Sequence, residues 1–125
     1  MTHVQKTIIV VEDEQEAAEM FAEMMRVNGY RVLKAAGSKP AIKMIDEEKP
    51  AAVILDIMMP DISGLEVIRH MHRKPALDKI PVIVVSAKCL PADIKTGLEA
   101  GASVYLTKPV GYLDLKEAVE KALGA

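Results

Sequence analysis

Four short stretches of the sequence end in side chains able to do chemistry. Glu12, Asp13 and Glu14 follow the aliphatic run Thr7–Val11, and Asp56 follows Ala52–Leu55. Ser86 follows Pro81–Val85, and Thr107-Lys108-Pro109 follows Ser103–Leu106. Carboxylates brought within contact of one another cannot all stay ionised without a cation between them. With oxygen donors and no His or Cys beside them, the fitting ion is Mg2+ or a similar hard divalent cation such as Mn2+. An ion held by few carboxylates keeps open positions for phosphate oxygens. A Lys ammonium and a Ser hydroxyl at the same rim could neutralise and hold those oxygens, so the chemistry suggested is phosphoryl transfer.

Taken singly, most of these residues have a plainer reading. Glu12–Glu14 could open a helix, where acidic side chains suit the positive end of the dipole. Ser86 could be a helix cap and Lys108 a solvated surface charge. Asp56 resists such a reading, because a carboxylate ending a buried strand and followed by Ile57-Met58-Met59 is costly unless paired or liganded. It is the convergence of four strand ends that carries the argument.

The elements that must position these groups are legible in the periodicity. Five branched-aliphatic runs, Thr7–Val11, Arg31–Ala35, Ala52–Leu55, Pro81–Val85 and Ser103–Leu106, alternate with helical patterns. The middle runs are nearly continuous in Val, Ile and Leu, as parallel strands buried on both faces require. Gln15–Asn28 sets Ala17, Phe21, Met24 and Met25 on one stripe, and Asn28-Gly29 supplies a left-handed stop. Ser63 with Glu66 reads as a capping box opening a helix that runs to about His72, and Asp114 with Glu117 repeats the signature. Ser38 and Pro91 mark two further helix starts. The result is an α/β fold, (βα)5, a doubly wound parallel sheet with helices on both faces. Ligands bind such a sheet at the carboxyl ends of its strands, where the chemistry-bearing residues lie.

Composition bounds the rest. The 125 residues are one domain's worth, half of them hydrophobic, enough to bury a core without disulfide or metal. Lys and Arg number 16 against 18 Asp and Glu, a net charge of −2 that gives no electrostatic footprint for nucleic acid. With three Tyr, one Phe and no Trp there is little from which to build a base-stacking platform. Cys89 is the lone cysteine and cannot form an intrachain disulfide. No apolar run is long enough to cross a bilayer and the N-terminus has no signal-peptide core, so a cytoplasmic protein without membrane insertion is expected.

The motifs Ile9-Val10-Val11-Glu12-Asp13-Glu14, Leu55-Asp56-Ile57-Met58-Met59-Pro60-Asp61-Ile62-Ser63-Gly64, Val84-Val85-Ser86-Ala87 and Gly101-Ala102-Ser103-Val104-Tyr105-Leu106-Thr107-Lys108-Pro109 follow one another in order. Together they resemble the receiver (CheY-like) domain of two-component response regulators, over essentially the whole chain. The resemblance implies a single receiver domain at residues 1–125, with flavodoxin-like strand order 2-1-3-4-5. It implies a phosphoacceptor rather than an enzyme acting on a separate substrate. Asp56 would take a phosphoryl group from the phosphohistidine of a sensor histidine kinase or phosphotransfer protein. Asp13 would ligate Mg2+ directly, beside Asp56 and the Met58 carbonyl, with Glu12 acting through water. Lys108 would pair with Asp56 and then with the phosphoryl group, and Ser86 would hydrogen-bond that group. Tyr105 would swing between exposed and buried positions as Ser86 moves, switching a face built from the fourth helix, fifth strand and fifth helix toward a downstream output protein or effector domain. The Lys108–Pro109 peptide is usually cis in the family. The approach to the phosphorus would be lined by Met58 and Lys88, neither of which can position a water, so a long-lived phosphoprotein is expected.

Some features depart from familiar receivers. The acidic residue and Arg that winged-helix regulators pair across a dimer correspond to Val104 and Ala118, which puts that mode in doubt. No effector domain is expected within residues 1–125, so the chain either signals through a partner or is part of a longer regulator. A haloacid-dehalogenase-type phosphatase would want a second Asp where Met58 stands, and a flavodoxin-like FMN carrier would want a phosphate loop where Glu12-Asp13-Glu14 stands. A receiver that works without phosphorylation is disfavoured by the presence of Asp13, Asp56, Ser86 and Lys108. His70 and His72 should diverge on their helix, His3 should lie in a frayed terminus, Cys89 should be exposed, and Met20, Met24, Met25 and Met44 should fill core gaps.

Overall fold

A computed structural model describes residues 5–124; the expectation about His3 falls outside them. Five parallel strands, β1 (Thr7–Val11), β2 (Arg31–Ala35), β3 (Ala52–Leu55), β4 (Val82–Ser86) and β5 (Val104–Thr107), form one sheet in the order β2-β1-β3-β4-β5. Between and after them run α1 (Gln15–Arg26), α2 (Ser38–Glu48), α3 (Gly64–His72), α4 (Pro91–Ala100) and α5 (Tyr112–Ala122). Architecture and strand order are those expected.

Successive strand residues point to opposite faces, which divides the core in two. Ile9, Val11, Val53, Leu55 and Val84 pack with Ala41 and Ile45 of α2 and Val67, Ile68 and Met71 of α3. Ile8, Val10, Ile54, Ile83 and Val85 pack with Phe21 and Met25 of α1 and Leu115 and Val119 of α5. Both faces of the central strands are covered, so no alternation in polarity is left in their sequences. Each of the Val, Ile, Leu, Met and Phe side chains contributes about 1.5–3 kcal/mol by leaving water.

Element ends differ from expectation where the local chemistry is richer than the pattern. β4 and β5 each begin and end one residue later. Pro81 has no amide to donate, and only its carbonyl joins the sheet, accepting from Val53 N at 3.0 Å. α1 stops at Arg26, and Gly29, at φ 87°, turns the chain with its amide on the Arg26 carbonyl. The Ser63 capping box is half formed: Ser63 Oγ accepts from Leu65 N at 3.2 Å, but Glu66 turns to Arg69 at 2.6 Å. α5 begins two residues before Asp114, with Gly111 as its N-cap, so Asp114 lies inside the helix. Glu117 does meet Lys121, at 3.3 Å. Met25 is fully buried and Met24 and Met44 are half-buried, whereas Met20, expected in the core, is exposed on the outer side of α1.

Candidate functional site

The sheet register delivers the reactive residues to one rim. Val11 and Leu55 are partners across β1 and β3, so Glu12 and Asp56 leave the sheet side by side. The Asp56 amide donates to Val11 O at 3.0 Å, extending that pairing past the last strand residue. Ser86 and Thr107 are partners across β4 and β5, and the Lys108 amide donates to Ser86 O at 2.8 Å. Backbone hydrogen bonds thus fix Glu12, Asp56, Ser86 and Lys108 along the carboxyl edge. The Lys108–Pro109 peptide is cis, as expected.

At the centre of the rim lies the Lys108 ammonium. It donates to Glu12 Oε1 at 2.7 Å and to Asp56 Oδ2 at 2.9 Å. Both carboxylates are buried, at 3% and 6% exposure. Burial pushes the Glu12 carboxyl above its ordinary range, and the neighbouring Asp56 charge adds to this against the hydrogen bonds from Lys108 and the Glu14 amide. Burial pulls the Lys108 ammonium down, but its hydrogen bonds to the two carboxylates outweigh that and leave its pKa raised. The Met58 amide holds Asp56 Oδ1 at 3.0 Å, so both carboxylate oxygens of Asp56 are engaged.

This pair of carboxylates is already a cation position, occupied by an ammonium. Its donors are oxygens alone, with Asp13 one residue from Glu12 and exposed at the loop; that donor set suits a hard divalent ion. Among the described residues no three acidic, His or Cys side chains are gathered as a ready metal cluster. The ammonium that joins Glu12 and Asp56 is not paired with Asp13.

Ser86 is fully buried, and its Oγ accepts from the Lys88 amide at 3.2 Å. Tyr105 reaches the same loop from β5, its hydroxyl donating to the Lys88 carbonyl at 2.8 Å. Residue 88 therefore links Ser86 to Tyr105 through its own backbone. Cys89 follows it, exposed.

Three residues that shape the site escaped the reading of the sequence. Asp61, in the loop after Asp56, accepts from the Ser38 and Lys39 amides at 3.0 and 2.8 Å. It caps α2 from a distance, since Gly37 at the N-cap has no side chain for the task. Ser38 Oγ returns a bond to Ile62 O at 2.8 Å, tying α2 to the loop that carries Met58. Gly64 opens α3 so close to Asp56 that a Cβ there would lie 2.6 Å from the Asp56 carbonyl oxygen. Gly97, in the middle of α4, was passed over as well. The glycine after a Ser N-cap and the glycine inside a helix were visible signals; the partner of Asp61 was not. His70 and His72 do diverge: His70 Nε2 meets Asp46 at 2.8 Å, while the His72 ring lies over Gly101.

Comparison with known proteins shows the family and the fold. The response regulator receiver domain family matches residues 8–120. The phosphate regulon transcriptional regulatory protein PhoB of Pseudomonas aeruginosa is 36% identical over 120 residues, covering 96% of this chain and 52% of that protein. The chain thus spans about half the length of that relative. The polar-differentiation response regulator DivK of Brucella anthropi is 28% identical, with 95% of this chain and 97% of that protein covered. Among solved structures, the receiver domain of a Pseudomonas aeruginosa sensor histidine kinase superposes with a TM-score of 0.89 at 25% identity, over 98% of this chain and all of that one. That structure has a magnesium ion coordinated in its active site cleft.

Proposed function

The chain belongs to the response regulator receiver domain family, and from that premise we propose that Asp56 is its phosphoacceptor. The donor is the phosphohistidine of a sensor histidine kinase or phosphotransfer protein. An Asp56 oxygen forms the new bond to phosphorus as the P–N bond to the donor imidazole breaks, leaving an aspartyl phosphate and a histidine that recovers a proton. The observation that carries this reading is the buried Asp56 carboxylate, held at 2.9 Å by Lys108, on the sheet edge where the buried Ser86 ends β4.

Asp13, Asp56 and the Met58 carbonyl would hold Mg2+ or Mn2+, with Glu12 acting through water. When bound, the ion supplies positive charge to neutralise the phosphoryl oxygens. Lys108 follows the charge from the carboxylate to the phosphoryl group, and Ser86 Oγ, released from the Lys88 amide, donates to a phosphoryl oxygen. Tyr105 then reports the change to the face of α4, β5 and α5. Phosphorylation shifts this equilibrium only by binding one arrangement better than the other. The protein acts in the cytoplasm as a phosphoacceptor and signals to a downstream protein or effector domain. No helix among the described residues is long and apolar enough to cross a membrane.

Intact mass after incubation with acetyl phosphate and Mg2+ tests the reading. One phosphoryl group should be gained, none without the cation, and none by Asp56→Asn. Asp13→Ala should weaken the Mg2+ dependence. Equal labelling of Asp56→Asn would sink the assignment.

A further inference from the structure

Gly97 occupies the interior of α4, three residues before its end, with ordinary helical neighbours and no positive φ. Glycine is the poorest helix former after proline, so the helix itself gains nothing from it. What needs the missing side chain is Tyr105. A Cβ on Gly97 would stand 2.8 Å from both Cδ2 and Cε2 of the Tyr105 ring, a distance that real Cβ contacts do not tolerate. The next neighbour, Ile57 Cδ1, is at a comfortable 3.7 Å. The ring therefore lies in a socket whose floor is the Gly97 backbone, and from there its hydroxyl reaches the Lys88 carbonyl at 2.8 Å.

We propose that Gly97 sets the resting position of the Tyr105 switch, by offering the ring a place against α4 that any larger residue would close. A methyl group at position 97 leaves the helix intact and meets only one movable object, the tyrosine ring. Rotation away from α4 relieves the overlap, breaks the bond to the Lys88 carbonyl, and uncouples Tyr105 from the loop that holds Ser86. Burial already raises the Tyr105 phenol above its ordinary pKa, consistent with a ring held inward. The packing stands on its own; its meaning as a signal rests on the receiver reading proposed above. A chain whose inward position is favoured before phosphorylation binds a phosphoryl group without first paying for the rearrangement.

The test compares wild type with Gly97→Ala, each with tyrosine rings labelled for NMR. In Gly97→Ala the Tyr105 ring resonances should move to positions of a solvent-exposed tyrosine while those of Tyr30 and Tyr112 stay. If the inward population falls to about a tenth, apparent affinity for the beryllofluoride phosphoryl mimic should fall about tenfold. Melting temperatures in a Tyr105→Ala background provide the control. There Gly97→Ala should raise stability, since Ala favours the helix and no ring opposes it, whereas with Tyr105 present the gain should be lost. Unmoved Tyr105 resonances, or the same change in melting temperature in both backgrounds, would overturn the socket. Failure of either protein to bind the mimic, with the Tyr105 shift intact, would instead count against the receiver reading and leave the socket standing.

Discussion

The Lys108 ammonium lies 2.9 Å from the Asp56 carboxylate, 52 residues earlier in the chain, and the same nitrogen reaches Glu12 at 2.7 Å. One ammonium thus bridges two buried carboxylates at the spot where phosphoryl chemistry is proposed. The arrangement sets a cation against the Asp56 carboxylate and keeps it at hand for the charge that the proposed phosphoryl transfer would bring.

Removing that cation should have a measurable cost. Breaking a buried pair by deleting one partner typically destabilises by about 3–5 kcal/mol, and water at the partly open rim relieves some of this. Lys108→Ala should therefore lower unfolding free energy by about 2 kcal/mol at neutral pH. Added Mg2+ should raise the melting temperature of this variant more than that of the wild type, because the ion then replaces the missing charge. Denaturant melts with and without Mg2+ decide it; a variant as stable as wild type in both conditions would contradict the bridging role.

Asp61 carries a separate acid dependence. The Lys39 and Ser38 amides at the start of α2 pull its carboxyl down from the ordinary 3.8 to about 2. A folded-state pKa below the unfolded one adds stability that is complete above about pH 4 and is lost as pH falls through about 2. Asp61→Asn should melt lower than wild type at pH 7, because a neutral amide caps α2 more weakly. The difference should shrink between pH 4 and pH 2. Thermal melts across that range measure it, and a gap that stays constant would show that Asp61 does not act through its charge.

The sheet and the rim were readable in the sequence because their causes are local. Continuous Val, Ile and Leu mark strands covered on both faces, and a charged residue directly after such a run can only lie at the edge. Asp114 misled for a related reason: it is a good N-cap residue three positions before a Glu, yet Gly111, with nothing to show by type, starts α5. What Asp61 and Gly97 do was not readable, because their partners are brought by tertiary structure. Asp61 meets amides 23 and 22 residues away, and Gly97 is explained only by a ring from the neighbouring strand. The Lys108–Asp56 pair was expected from the resemblance, whereas the second bond of the same ammonium, delivered across 96 residues to Glu12, was not.

The lifetime of the phosphorylated state should follow from two side chains beside the acceptor. Hydrolysis needs a water in line with the Asp56–phosphorus bond, on the side away from the carboxylate. The Met58 amide donates to Asp56 Oδ1, and its side chain is exposed at the rim. A thioether is a weak acceptor with considerable bulk, so it crowds a water without orienting it. Lys88 is held by its amide on Ser86 Oγ and its carbonyl under Tyr105, and its side chain is exposed at the same rim. A charged ammonium has donors and no acceptor, so it cannot take the proton of an attacking water. Orienting the nucleophile lowers a barrier substantially, and each 1.4 kcal/mol is about tenfold in rate. The phosphoprotein should therefore be long-lived, suited to a slow response. Met58→Asn combined with Lys88→Glu supplies an amide and a carboxylate able to hold the water, and should hasten decay by about tenfold or more. Loss of the phosphoryl group over time, without kinase or phosphatase, measures both proteins. A wild type that decays as fast as the double variant would show that these two side chains do not govern the lifetime.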